Sequence, residues 1–127
     1  MVKYLHTDTA PAPFSDYSQA VEAAPASRII AVSGQVGVDL DGNLADTEAG
    51  QHERTWANIF AILKANGMGP ENIIDVTAYL TSQTGVPTYR QVRDQMLGDA
   101  RPASTLLIVS GLANPAWKVE ISVMAAG

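Results

Sequence analysis

Two arginines and a histidine are the side chains whose possible chemistry stands out in this sequence. Arg90 and Arg93 are three residues apart in a segment with helical periodicity, which brings Arg93 into the apolar face and Arg90 to its edge. A guanidinium in that position must find an anion or reach the boundary of the core, so its head contacts either a ligand or water near Asp94. His52 lies in another apolar helical face with no second acid or base nearby, which is more typical of a structural histidine than of a catalyst.

Metal, redox and nucleic-acid chemistry have little support in the composition. The chain has no cysteine, and its two histidines, His6 and His52, are too far apart to suggest a ligand cluster. The run from Asp39 to Asn43 favours a turn over a calcium loop, because its glycine is misplaced and Gly50 stands where a closing glutamate is needed. Eight Lys and Arg residues and a net charge of -5 give no basic field for phosphates. We therefore expect no metal, no cofactor and no nucleic-acid partner.

The length and hydropathy indicate one domain over residues 1–127. A chain of 127 residues has the usual size of a domain, and 46% hydrophobic with 17% charged residues is a globular composition. No run approaches the roughly 18 consecutive apolar residues of a membrane span. The first residues include a lysine but no apolar stretch after it, which is not the pattern of a signal peptide. We expect a cytoplasmic protein without a membrane partner.

Hydrophobic periodicity divides the chain into six strands and two helices. Alternating or apolar runs predict strands at residues 2–6, 18–23, 28–36, 73–82, 104–109 and 117–124. In the run at residues 73–82 the alternation predicts one apolar face, formed by Ile74, Val76, Ala78 and Leu80. Asp46 or Thr47 can cap a first helix that ends at Asn66-Gly67, and a second helix is predicted from Val86 to Leu97. The order predicts an α/β domain in which two helices cover one side of a sheet of about six strands.

The strand predicted at residues 104–109 is apolar on both faces and therefore needs cover on both. Two helices can cover only one side of the sheet, so the simplest cover for the other side is a second copy of the chain. In the last strand Val119, Ile121 and Val123 share one face, and Glu120 lies on the opposite one. The alternation predicts that Glu120 points towards an interface between copies.

Six short motifs occur in an order that is typical of one protein family. They are Tyr17-Ser18-Gln19-Ala20, Val32-Ser33-Gly34-Gln35-Val36, Gln51-x-Glu53 with Asn58 and Ala61-Ile62-Leu63, Val76-x-x-Tyr79-Leu80-Thr81, Arg101-Pro102-Ala103, and Val119-Glu120-Ile121. Each motif is unspecific alone, but together they span residues 15–126. In this order they resemble the RidA family, also called YjgF or L-PSP proteins.

The resemblance implies a fold, an assembly and a chemistry. The fold is chorismate-mutase-like α/β, a mixed sheet of about six strands packed on one face by two helices, and the assembly is a homotrimeric barrel. Clefts between the subunits of such proteins hold small carboxylates, and active members hydrolyse enamines and imines with a water molecule and no cofactor. Carried over residue by residue, the site comprises Tyr17, the backbone around Ser33 and Gly34, and Glu120, the acid that handles the protons of the attacking water.

One departure from the family pattern concerns the contact with the substrate carboxylate. Family deaminases have Pro-Ala-Arg, whose arginine clamps that carboxylate, whereas this chain has Pro102-Ala103-Ser104. Hydrogen bonds to charged groups contribute about 1.5–3 kcal/mol each, so losing the clamp should weaken carboxylate binding by roughly 10- to 150-fold. Arg90 and Arg93 stand where the family has an asparagine and a tyrosine on the second helix. Positive charge has in effect moved from strand to helix.

Three functions fit these candidates, and the sequence leaves the choice between enzyme and binding module open. The first is an imine or enamine hydrolase, deaminase-like, with altered specificity. The second is a non-catalytic trimer that binds or senses a small molecule. The third, an endoribonuclease, is disfavoured by the acidic balance and by the lack of a histidine pair. The candidate catalytic residue is Glu120, and the candidate ligand-binding residues are Tyr17, Ser33, Gly34, Arg90, Arg93, Ser104 and Thr105.

Overall fold

A four-stranded mixed sheet with two helices on one face forms the centre of the protein. The computed structural model describes residues 2–23, 25 and 28–127. The elements are β1 (Val2–Leu5), β2 (Ala20–Ala23), β3 (Ile29–Gln35), α1 (Glu48–Ala65), β4 (Ile73–Leu80), α2 (Val86–Leu97), β5 (Ala103–Ile108) and β6 (Val119–Ala126). Short 3-10 turns precede β4 and α2. The predicted fold class is confirmed.

The strands divide into two groups. The central sheet has the order β3-β6-β4-β5, in which β4 and β5 are parallel and the other neighbours are antiparallel. β1 and β2 form a separate antiparallel ladder, and a single bridge between Ser18 and Ala103 links the start of β2 to β5. All six predicted strands are present, but only four share the central sheet, because the pairing along β5 stops at Ser18.

Both helices begin and end where the sequence places the boundary signals. The Thr47 side chain accepts a hydrogen bond from the Gly50 N–H, which makes it the cap of α1, and Gly67 after the helix has a φ of 77°. The predicted bounds of α2 agree with the structure. Among the described residues, neither helix combines the length with the apolar character needed to cross a membrane.

The core lies between the helices and one face of the sheet. The residues that face the helices on β4 and β6 are fully or almost fully buried, and they are Val76, Ala78, Leu80, Val119, Ile121 and Val123. They pack against Trp56, Ile59 and Leu63 of α1 and Tyr89 of α2. Burying one such side chain contributes about 1.5–3 kcal/mol, so this seam holds the helices on the sheet.

At the start of β4 the predicted alternation is wrong by one residue. Ile73 is buried and Ile74 is only half-buried, because the pairing with β6 shifts between Ile73 and Asp75. The shift restores the predicted alternation from Val76 onwards. The residues of β4 that approach the site therefore keep their expected faces.

The other face of the sheet has no helix on it. Ile29, Leu107 and Met124 are 65%, 44% and 40% exposed in the single chain. In β5 the register pairs Leu107 with Tyr79, on the helix-free face, and Leu106 with Ala78, on the helix side. The strand is therefore apolar towards both sides, as the sequence indicates, and its helix-free side is uncovered in one chain.

The segment after β3 is a turn, as the sequence favours. The Asp39 carboxylate accepts hydrogen bonds from the N–H groups of Asp41 and Asn43, and Gly42 has a φ of 83°. The hydrogen bond from Asn43 lowers the pKa of Asp39. Within the described ranges, no three His, Asp or Glu side chains cluster in a way that could hold a metal ion.

Candidate functional site

Two grooves contain most of the candidate site residues. The first, here called the sheet groove, has a volume of about 450 Å³ and is lined by Gly34, Tyr79, Val109, Gly111, Leu112, Ala113, Glu120 and Ser122. The second, here called the helix groove, has a volume of about 210 Å³ and is lined by Phe14, Ser15, Tyr17, Arg90, Arg93, Ser104 and Leu106. The predicted acid lies in the first groove and the predicted cations in the second.

The sheet groove holds Glu120 on the helix-free face of the sheet. Glu120 lies beside Tyr79 in the register of β6 and β4, and Ser122 follows it on the same face. Neither an ion pair nor a hydrogen bond engages the Glu120 carboxylate among the described residues. The carboxylate is half-buried and lines open space, an arrangement that leaves it available for proton transfer.

Gly34 allows Glu120 to reach this position. A Cβ atom on Gly34 would overlap the Glu120 carboxylate, so any other residue would displace that side chain. The pairing of β3 with β6 also shifts between Val32 and Gln35, which brings the backbone at Gly34 over the groove. The motif Ser33-Gly34 thus makes a close backbone approach to the acid, while the Ser33 side chain is exposed and does not line the groove.

Gln51 fixes the chain that leads into β6. Its side chain accepts a hydrogen bond from the Lys118 N–H at 2.8 Å and donates one to the Ala116 carbonyl at 3.2 Å. The residue is 5% exposed. In the sequence Gln51 stands out only as part of a family motif. In the structure its side chain fixes the backbone two residues before Glu120.

The helix groove lies on the opposite side of the sheet. Ser104 pairs in register with Val76, a core residue, so its side chain points towards the helices. Tyr17 comes from the loop before β2, where Ser18 anchors the chain by donating to the Arg101 carbonyl and pairing with Ala103. The Tyr17 hydroxyl accepts a hydrogen bond from the Phe14 N–H at 3.2 Å. Strand, loop and helix therefore converge on this groove.

Arg93 is the most deeply buried charge in the site. The residue is 3% exposed, its Nε donates to Asp94 Oδ1 at 2.9 Å, and its guanidinium carbon lies 5.6 Å from the centre of the Tyr89 ring. Its Nη2 is buried and has no hydrogen-bond partner within residues 2–23, 25 and 28–127. Arg90, one turn earlier on α2, is exposed. The sequence leaves a ligand, water or the neighbourhood of Asp94 open for Arg93, and the single chain has the contact with Asp94.

His52 lines neither groove. It is fully buried on α1, and its ring lies 5.9 Å from that of Tyr89. Burial lowers the pKa of His52 to about 4, so the ring is neutral at pH 7. The same burial raises the pKa of Tyr89. His52 belongs to the seam between the two helices, in line with the structural interpretation of the sequence.

A single chain does not bring the candidates together in one site. Glu120 and Gly34 face one side of the sheet, and Tyr17, Arg90, Arg93 and Ser104 meet on the other. Thr105 pairs with Thr77 on the helix-free face and lines neither groove. Sequence reasoning missed the loop at residues 109–113, Phe14 and Leu106, because no periodic pattern indicates which loops and edges border a groove.

Comparisons with known proteins cover nearly the whole chain. The family description "Endoribonuclease L-PSP" matches residues 7–127. The 2-iminobutanoate/2-iminopropanoate deaminase of Bos taurus is 32% identical over 125 residues, which are 97% of this chain and 88% of that protein. The structure of RidA from the Antarctic bacterium Psychrobacter sp. PAMC 21119 is 28% identical, with a TM-score of 0.75 and coverage of 98% and 99%. A Rid protein from Yersinia pestis, YyfB, of unknown function, shares the fold at a TM-score of 0.86, with 21% identity and coverage of 99% and 98%.

Proposed function

Because the chain belongs to the RidA family of endoribonuclease L-PSP-type proteins, we propose that it hydrolyses a small imine or enamine to a carbonyl compound and ammonia. The reaction takes place in a cleft between copies of the chain, with Glu120 as the group that moves protons. The bovine relative named a 2-iminobutanoate/2-iminopropanoate deaminase supports this choice of reaction. We propose that the protein is cytoplasmic, as the sequence predicts.

The observation that carries the proposal is the state of Glu120. Its carboxylate lines a groove of about 450 Å³ and makes no ion pair or hydrogen bond within the described part of the chain. A purely structural carboxylate at a half-buried position is normally paired or hydrogen-bonded, since burying an unpaired charge costs free energy. A carboxylate left open in a groove that Tyr79 and Ser122 also line is suited to general acid and base catalysis.

The proposed reaction needs only water and one proton carrier. Water adds to the imine carbon, the C–O bond forms, and the C=N π electrons move to nitrogen. Glu120 accepts the proton that the water loses and passes it to that nitrogen, which gives a carbinolamine. The C–N bond then breaks as Glu120 transfers the hydroxyl proton to the leaving nitrogen. Imine and water thereby give the carbonyl product and ammonia, and Glu120 returns to its starting state.

A second copy of the chain supplies the other half of the cleft. The helix-free face carries exposed Ile29, Leu107 and Met124, and exposed side chains of this size favour an interface. In a ring of copies, the interface is heterologous and joins one surface of a chain to a different surface of its neighbour. We propose a homotrimer in which the sheet groove of one chain meets the helix groove of the next.

The direct test is ammonia release from 2-imino acids generated in situ by an amino acid oxidase. Wild-type protein should accelerate release over buffer, and Glu120→Gln should lower kcat by about 10²- to 10⁴-fold. Glu71→Gln is the matched control, since Glu71 is exposed and lines neither groove. If buffer hydrolyses every imine as fast as the protein, or Glu120→Gln is as active as wild type, the proposed reaction is wrong.

A binding module without catalysis is the second candidate, and Ser104 is the observation that favours it. A neutral hydroxyl replaces the family arginine in the helix groove, so the carboxylate contact of the active family members is absent from the strand. A binding module predicts that small carboxylates raise the Tm of the protein and are recovered unchanged. Consumption of the ligand would exclude this candidate.

We do not propose endoribonuclease activity, although the family description names it. Among the described residues, neither groove combines two proton-transfer groups with the positive charge that RNA cleavage normally requires. The net charge of -5 also disfavours an RNA partner.

A further inference from the structure

The helix groove contains a buried cation with a donor that no group in the described part of the chain uses. Arg93 is 3% exposed and lines the groove, and only its Nε is matched, by Asp94. Its Nη2 is buried without a partner. A buried charged donor that lacks a hydrogen bond lowers the stability of the fold, so its retention calls for a partner outside the chain.

Two neighbouring groups fix the direction of the Arg93 guanidinium. Asp94 holds one edge of the planar group, and the Tyr89 ring supports one of its faces at 5.6 Å. Tyr89 is fully buried, so this support does not shift with solvent. Its hydroxyl approaches Ser104 and Arg93 without meeting hydrogen-bond geometry. The guanidinium is therefore held in one orientation before any ligand arrives, which lowers the entropy cost of binding.

Arg90 adds a second cation to the same groove. Arg90 and Arg93 are three residues apart on α2, where like charges repel each other and destabilise a helix. Arg90 has no anionic partner among the described residues, and the only carboxylate bound to the pair is Asp94. The two guanidiniums and Asp94 leave a net charge of about one positive unit, which a monoanion neutralises.

The remaining lining of the groove indicates what the anion is attached to. Phe14 is 84% exposed at the groove, and Leu106 lines its strand side. An apolar group that lies against these two side chains is removed from water, which favours its binding. The helix groove alone has a volume of about 210 Å³, which accommodates a carboxylate and a short apolar chain.

We propose that the helix groove binds a small monocarboxylate with an apolar side chain. The carboxylate contacts Arg93 and Arg90, and the apolar part lies against Phe14 and Leu106. In this chain the anion contact comes from α2 and not from the strand position occupied by Ser104. The binding site rests on its own contacts, and only its use as the carboxylate site of the substrate rests on the proposed function.

Calorimetry on the full-length protein tests the site without any turnover. The probe is 4-methyl-2-oxopentanoate, compared with its uncharged methyl ester and with pyruvate, which keeps the carboxylate and lacks the branched chain. The acid should bind at least about 10-fold more tightly than the ester. It should also bind several-fold more tightly than pyruvate. Equal binding of acid and ester would overturn the proposal.

Variants then assign the contacts. Arg93→Lys keeps the charge but loses the planar fork, and Arg90→Gln removes an exposed cation. Each variant should bind the acid about 10-fold more weakly than wild type and bind the ester with unchanged affinity. Lys64→Gln, which removes an exposed cation from the last turn of α1, should have no effect. Wild-type affinity in both arginine variants would overturn the assignment.

Phe14→Ala separates the apolar contact from the anion contact. Because Phe14 is 84% exposed, its removal should leave the Tm unchanged. It should weaken the binding of 4-methyl-2-oxopentanoate by about 3- to 10-fold and leave the binding of pyruvate unchanged. Unchanged affinity for the branched acid would contradict the apolar half of the proposal.

The outcomes for binding and for catalysis are distinguishable. If the acid binds through the arginines but no imine is hydrolysed, the anion site stands and the proposed function falls. The proposed function stands and the anion site falls if the acid does not bind and imines are hydrolysed with a KM that Arg93→Lys and Arg90→Gln do not change.

Discussion

The two grooves differ in charge, in depth and in the side of the sheet on which they lie. The helix groove has two cations, one of them buried, whereas the sheet groove has one carboxylate and no cation in its lining. Ser104 pairs with Val76 of β4, and Glu120 pairs with Tyr79 of the same strand. Val76 and Tyr79 are three residues apart and therefore point to opposite faces, so one chain cannot place Ser104 and Glu120 on the same side of its sheet. Each groove therefore has half of the chemistry that the proposed hydrolysis of a carboxylate-bearing imine requires, and in our proposal a second chain completes it.

Among changes that keep Glu120 itself, the largest effect is expected from a methyl group added to the sheet groove. Gly34→Ala puts a Cβ atom where the Glu120 carboxylate lies, and the carboxylate is the flexible end of its side chain. The fold should adapt with little change in Tm, but misplacing the acid should lower kcat by about 10- to 100-fold. Gly111→Ala is the control in the same groove, because a Cβ there meets no atom within 4 Å. Equal activity of the two variants would show that the position of Glu120 is not important for turnover.

Low pH should destabilise the packing that lies behind both grooves. His52 packs against Tyr89, which backs the helix groove, and adjoins Gln51, which holds the chain before Glu120. The pKa of His52 is about 4 in the folded chain and 6.5 in an unfolded one, so the unfolded state binds the proton first as the pH falls. The free energy of unfolding should therefore drop between about pH 6.5 and pH 4, by about 2 kcal/mol.

Urea unfolding at pH 7 and pH 4.5 measures this loss. His52→Leu should remove it, and His6→Gln should keep it, since His6 is exposed. A pH dependence that is the same in wild type and in His52→Leu would contradict the assignment to His52.

A smaller effect is expected when the family arginine is restored to the helix groove. Ser104→Arg adds a long side chain to a space of about 210 Å³ that already holds two guanidiniums. It should lower kcat/KM for an apolar imino acid by about 10-fold, because substrate and side chain compete for the same volume. Activity that appears only in Ser104→Arg would instead identify the natural chain as a binding module that has lost catalysis.

Much of the fold could be predicted because local signals agree with the final packing. The cap at Thr47 and the full length of α2 follow from local preferences. The face of Glu120 follows from the alternation along β6. The division of the strands into two sheets could not be predicted, since it depends on where the pairing along β5 ends.

The candidate site was predictable only in part, for a similar reason. Sequence spacing indicates that Arg93 is near the core, but not that Tyr89 supports it or that Nη2 lacks a partner. Phe14 and the loop at residues 109–113 border the grooves through loop geometry, on which hydrophobic periodicity has no bearing. Contacts of this kind arise from tertiary packing and become visible only in the folded chain.

Mixing two impaired variants tests the shared cleft most directly. Glu120→Gln and Arg93→Lys chains are each purified, unfolded together in urea and refolded as a 1:1 mixture, and imine hydrolysis is measured below KM. If every site takes its acid from one chain and its cation from the next, about a quarter of the sites in the mixture combine two intact halves. We expect the refolded mixture to have about a quarter of the wild-type kcat/KM. Activity in the mixture no higher than the mean of the two variants refolded separately would contradict it.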